Sequence, residues 1–132
     1  MRNYVVGVDV GGTRVKLGLF DSNMQLVSEQ RYLTDNDGTA VELISFLSQQ
    51  VRGLVEKAGL TMGDIRGVGA AFPSSIDIKR GVTLESSSIV SLNDAPVRDM
   101  LRQRLELPET YSDPTLYARV EREARELQPD IQ

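Results

Sequence analysis

The sequence predicts an α/β fold: a mixed five-stranded sheet with helices on both faces, in the order βββαβαβα. Three observations predict it. Two apolar runs at 4–10 and 14–20 flank a Gly-Gly pair. An amphipathic stretch at 39–58 follows, with helical spacing of its apolar residues. A run of small apolar residues at 65–73 comes next, before two further helix signals.

The first two runs read as strands. Val15, Leu17 and Leu19 fall on one face of the second by period two. Gly11-Gly12 between them predicts a tight hairpin with a primed turn, because such turns need positive φ. Asp21-Ser22-Asn23 supplies turn residues, so 24–34 reads as a third, more polar strand antiparallel to the second.

Asp35-Asn36-Asp37-Gly38 breaks the pattern. Thr39 and Glu42 fit a capping box, and a helix to about residue 58 places Val41, Ile44, Leu47, Val51, Leu54, Val55 and Ala58 on one stripe. Gly59 suits the position just beyond its end, and Gly53 is a weak point within it.

The run 65–73 is small and apolar rather than alternating, which predicts a strand buried on both faces. The crossover helix before it predicts parallel pairing with an earlier strand. Residues 76–91 read as an irregular excursion. Asp94 is the expected N-cap of a second helix whose buried stripe is Val97, Met100, Leu101 and Leu105. Leu107-Pro108 stops it. A short fifth strand at 109–112 leads to Asp113-Pro114, where Pro fits the first helical position. Leu116, Tyr117, Val120, Ala124 and Leu127 line one face of this third helix. The other face carries opposite charges four apart, such as Arg119 and Glu123, and reads as solvated.

The 132 residues suit one domain. A net charge of −4 argues against nucleic-acid or anionic-membrane partners. The sequence has no Cys and no His, so it holds no disulfide, no zinc site built on those residues and no histidine base. An acid or base must be Asp, Glu, Lys or Tyr. With no signal-peptide pattern and no long apolar run, a cytoplasmic location is expected.

Asp9 is the chemical oddity. It interrupts an apolar strand one residue from the turn, where burying a carboxylate is costly without a partner. The Gly11-Gly12 turn lets a ligand approach backbone amides, Thr13 adds a hydroxyl, and Lys16 adds a cation read as mobile. A carboxylate for hydrated Mg²⁺, amides for phosphate oxygens and a cation are the parts of a nucleotide phosphate site. A plain structural hairpin with a solvated Asp9 is the alternative. For Asp113, an ordinary helix N-cap is the corresponding alternative.

Four stretches in order resemble the N-terminal domain of ROK-family sugar kinases, one lobe of the actin-like ATPase (ribonuclease H-like) fold. Residues 7–21 are similar to the first phosphate motif. Residues 67–77 are similar to a strand and loop of the form G-x-P-G-x-x-D. Residues 92–101 resemble the segment entering the helix before the catalytic strand. Tyr111-Ser112-Asp113-Pro114-Thr115 falls where such kinases carry an Asn-Asp pair. The likeness covers nearly the whole chain.

The resemblance implies an ATP-dependent hexose kinase. Asp9 would hold Mg²⁺ through water, and Gly11, Gly12, Thr13 and Lys16 would meet ATP phosphates. Asp113 would be the general base. Pro73, Ser74, Ser75, Asn93, Asp94 and Ser112 would bind sugar. Three residues depart from the family pattern around the sugar: Ser112 for Asn, Ser74 for Gly and Thr115 for Asn. The chain also lacks the second lobe, with its other phosphate loop and adenosine pocket. The resemblance therefore implies an N-terminal lobe spanning 1–132, inactive or very weak alone, which self-associates through the surface left by the missing lobe. A sugar-sensing domain of the ROK repressor type and a non-catalytic assembly module are the alternatives.

Overall fold

A computed structural model describes residues 3–34, 38–77, 79–86, 89 and 92–105. The chain opens with a three-stranded meander, β1 (Tyr4–Val10), β2 (Arg14–Phe20) and β3 (Leu26–Leu33). Helix α1 (Ala40–Lys57) crosses over to β4 (Ile65–Ala71). The sheet order is β3-β2-β1-β4, with β1 antiparallel to β2 and parallel to β4. A short hairpin, β5 (Ser75–Asp77) and β6 (Val82–Glu85), precedes helix α2 (Val97–Leu105).

Helix α1 starts where its sequence directs. The Glu42 N–H donates to Thr39 Oγ1 at 3.1 Å and the Thr39 N–H to Glu42 Oε1 at 3.4 Å. It ends in a Schellman motif. Gly59, at φ 78°, donates its N–H to the Glu56 carbonyl, and Leu60 donates to Val55. Its buried stripe, including Ile44, Leu47, Val51, Leu54 and Val55, packs on Val6, Val8, Val10, Val15, Leu17 and Leu19 of the sheet. Val41 was expected in that stripe but is 53% exposed: Ala40 and then Leu43 and Ile44 carry the packed face through the first turn, and Val41 sits at its edge. Ala58 is exposed at the C-cap.

Helix α2 packs on the same core through Val97, Leu101 and Leu105. The Arg52 guanidinium reaches the Arg104 carbonyl, and Arg104 Nε donates to Ser45 Oγ at 3.1 Å. Asp94 does not cap this helix. It sits at φ 54° in the preceding turn, and its N–H donates to the Leu84 carbonyl. Asp is one of the few non-glycine residues that adopt that left-handed backbone, through local hydrogen bonding of its short side chain.

The opposite face of the sheet is different. Register aligns Gly18, Gly7 and Gly69 in one row across β2, β1 and β4, and all three are buried. The next row is Arg31, Lys16, Asp9 and Ala71. The expected full burial of β4 is not seen: Arg66 is exposed and most of its other residues are half-buried. The stretch 76–91 is not simply irregular, since it contains most of the β5–β6 hairpin. The expected fifth strand (109–112) and third helix (113–127) lie outside the described residues. The described sheets are therefore of four strands and two, and both described helices pack into one core against one face.

Candidate functional site

Parallel pairing of β1 with β4 sets Asp9 opposite Ala71. The Gly11–Thr13 turn and the Phe72–Ser74 connection therefore leave the same end of the sheet, from the carboxyl ends of adjacent parallel strands. Ligand loops in open α/β sheets stand at such ends.

The first turn is a three-residue loop, not the expected primed turn. Neither Gly11 nor Gly12 has positive φ. Gly11 is needed for closeness instead. Its N–H donates to the Arg14 carbonyl at 2.8 Å, and a Cβ there would lie 2.9 Å from that oxygen. The Gly11 amide is therefore committed within the turn. Thr34 clamps the turn from β3's end: its hydroxyl donates to the Gly11 carbonyl at 2.9 Å and its N–H to the Thr13 carbonyl at 2.8 Å. Sequence reading missed this role, because nothing near Thr34 signals a partner 23 residues away.

Asp9 is half-buried, and its cross-strand partner is Lys16. Lys16 is 2% exposed, so it is not the mobile surface cation expected of it. Neither residue is without an interaction partner. A buried ammonium requires a compensating charge or hydrogen bonds.

The second loop is held by a residue that sequence reading passed over. Ser86, 6% exposed, donates its hydroxyl to the Pro73 carbonyl at 2.8 Å and accepts from the Ile89 N–H at 3.0 Å. Its own N–H donates to Asn93 Oδ1 at 2.9 Å. One serine thus joins Pro73 and Asn93, two of the sugar-side candidates. Ser74 Oγ is buried without a hydrogen-bond partner, while Ser75 is exposed. Asp94 is exposed beside Asn93. The hairpin carrying Ser86 is fixed to α2: Thr83 and Ala95 exchange backbone hydrogen bonds, and the Arg98 N–H donates to Gly81, whose φ is 67°. The candidates Ser112 and Asp113 lie outside the described residues.

Among the described residues no group of three or more His, Cys, Asp or Glu side chains could hold a metal ion. A lone carboxylate at Asp9 still fits Mg²⁺, which keeps several waters and shares a substrate's phosphates. No described helix is long and apolar enough to cross a membrane.

A sequence profile of the ROK family matches residues 5–114. The N-acetyl-D-glucosamine kinase of Escherichia coli O7:K1 (strain IAI39 / ExPEC) is 34% identical over 100 residues, covering 76% of this chain and 31% of that protein. The ROK hexokinase of Thermus thermophilus superposes with a TM-score of 0.69 at 27% identity, over 80% of this chain and 33% of that one. The ROK glucokinase of Streptomyces griseus, solved with glucose and AMPPNP, gives 0.67 at 28% identity, over 80% and 31%. The chain thus spans about a third of the length of these relatives. On the profile match and the shared fold, the chain belongs to the ROK family.

Proposed function

We propose that this chain is the N-terminal, sugar-side lobe of an ATP-dependent sugar kinase acting on a hexose or N-acetylhexosamine. The observation that carries the reading is the juxtaposition of two loops at the carboxyl ends of β1 and β4, within a chain of this family. One has the Asp9–Thr13 composition of a phosphate site. The other is a polar loop tied to Asn93 through Ser86.

In this reading Gly12 and Thr13 face the phosphates of ATP, and Gly11 gives the turn its close geometry. Asp9 would hold Mg²⁺ through water, and the ion would neutralise phosphate charge. Lys16 adds a fixed positive charge under the same site. Pro73, Ser74, Ser75, Asn93, Asp94 and Ser112 position the sugar. Asp113 accepts the proton of the sugar hydroxyl as its oxygen bonds to the γ-phosphorus and the bond to the ADP oxygen breaks. Positioning and charge neutralisation carry most of such a reaction. The remaining phosphate and adenosine contacts belong to a second lobe, so residues 1–132 alone are expected to be inactive or very weak.

The test is a coupled ADP-release assay of the full-length protein with glucose and N-acetylglucosamine. Asp113→Asn is expected to lower kcat about 100-fold or more, with sugar KM within a few fold. An unchanged kcat would overturn the assignment of the base. No turnover of either sugar by the native full-length protein would overturn the kinase reading.

A further inference from the structure

The outer edge of β3 has no strand beside it among the described residues. Such edges invite pairing with another chain unless Pro, charged side chains (Lys above all), bulges or brevity blunt them. β3 is eight residues long and contains no Pro, Gly or Lys. Its one register irregularity falls near Val27, which leaves residues 28–33 regular. It also exposes apolar residues at both ends: Leu26 at 43%, Val27 at 48% and Leu33 at 74%.

The charges on this strand are self-complementary about one residue. Glu29 and Arg31 lie two apart, on one face, with side chains 42% and 51% exposed; within the chain they form a loose ion pair at 4.0 Å, which a second copy would share or exchange. An antiparallel copy centred on Gln30 would set Glu29 opposite Arg31 twice over, Ser28 opposite Tyr32 twice, and Gln30 opposite itself. Residues so matched share a face, as a two-fold axis perpendicular to a continuous sheet requires. A centre at Glu29 would oppose two carboxylates, and one at Arg31 two guanidiniums. Like charges directly opposite are destabilising.

We propose that the chain pairs with a second copy of itself along the outer edge of β3, about a two-fold axis at Gln30, making one sheet continuous across two molecules. Backbone hydrogen bonds and the exposed apolar ends supply the association. The two Glu29–Arg31 pairs, being half-exposed, set register more than affinity.

The test uses the 132-residue chain in sedimentation velocity over a wide concentration range. Arg31→Glu and Glu29→Arg, each alone, are expected to weaken self-association about tenfold or more. Mixing the two variants, or combining both changes in one chain, is expected to restore it. Because the sequence has no Cys, Gln30→Cys in the otherwise native chain gives a separate readout. It should form a disulfide-linked dimer under mild oxidation, and Ser28→Cys should not. A native chain that stays monomeric overturns the proposal. So does a dimer indifferent to the charge reversals, or one cross-linked equally well from either position.

Discussion

Ser86→Ala is expected to loosen the sugar-side loop and to destabilise the whole chain measurably. The serine hydroxyl has two partners, and the substitution strands both. Ile89 is fully buried, so its N–H would lose its acceptor at a cost of about 1–3 kcal/mol. Pro73 is half-buried, and water can take over its carbonyl for well under ~1 kcal/mol. The sum is about 1–4 kcal/mol. Unfolding entropy of roughly 2.1 cal/mol/K per residue gives about 0.28 kcal/mol/K for this chain, so Tm should fall by about 4–14 °C. Thermal melts followed by circular dichroism would measure it, with Ser75→Ala as the comparison at an exposed neighbouring serine. A Ser86→Ala melt within ~2 °C of the native chain would refute the reasoning, because the network would then be dispensable.

Gly53→Ala should raise stability by about 0.5–1 kcal/mol, since the residue is exposed in α1 and its added Cβ meets nothing within 4 Å. A chemical denaturation midpoint would show it. Gly11→Ala should do the reverse, by on the order of 1–3 kcal/mol, because its Cβ would press on the Arg14 carbonyl. The same denaturation series checks the sign. Asp64 gives a pH prediction. Its hydrogen bonds to Thr61, the backbone N–H first, hold the carboxyl below its ordinary 3.8. A depressed folded value means that the stabilisation is present above 3.8 and is lost as pH falls through the folded value. The Tm difference between the native chain and Asp64→Asn should therefore be largest near neutrality and vanish in strong acid.

The backbone of the fold was legible where one local rule acted without a rival. Thr39, Glu42 and Gly59 mark both ends of α1 by cap chemistry, and the structure places those caps as expected. The crossover helix foretold that β4 would pair in parallel with an earlier strand, which the structure shows to be β1. Legibility failed where one residue type serves two geometries. Asp94 could cap a helix or sit in a left-handed turn, and only its bond to Leu84 decides. Gly-Gly signals positive φ as well as close approach, and here the approach of Arg14 was the reason. The β5–β6 hairpin escaped notice because strands of three and four residues are too short to show a period. Within the site, Asp9 stood out because a carboxylate in an apolar strand is a local anomaly. Thr34 and Ser86 did not, because their work is done on partners 23 and 13 residues away. The burial of Lys16 was likewise invisible, since a lysine flanked by aliphatic residues on β2 reads as an exposed position of an alternating strand.

The glycine row has a topographic consequence. Strands stand about 4.8 Å apart, so three glycines abreast clear a strip roughly 10 Å long across the sheet, and the rows that flank it stand four residues, roughly 13 Å, apart along the strands. Phe20 and Val5 rise along one margin of this trough, and Lys16 and Asp9 along the other. Backbone lying in the trough sits lower than it would on an ordinary sheet, by the depth of a side chain. A methyl group added at Gly7, Gly18 or Gly69 would raise that floor, and its effect would be read as a change of level beside Asp9.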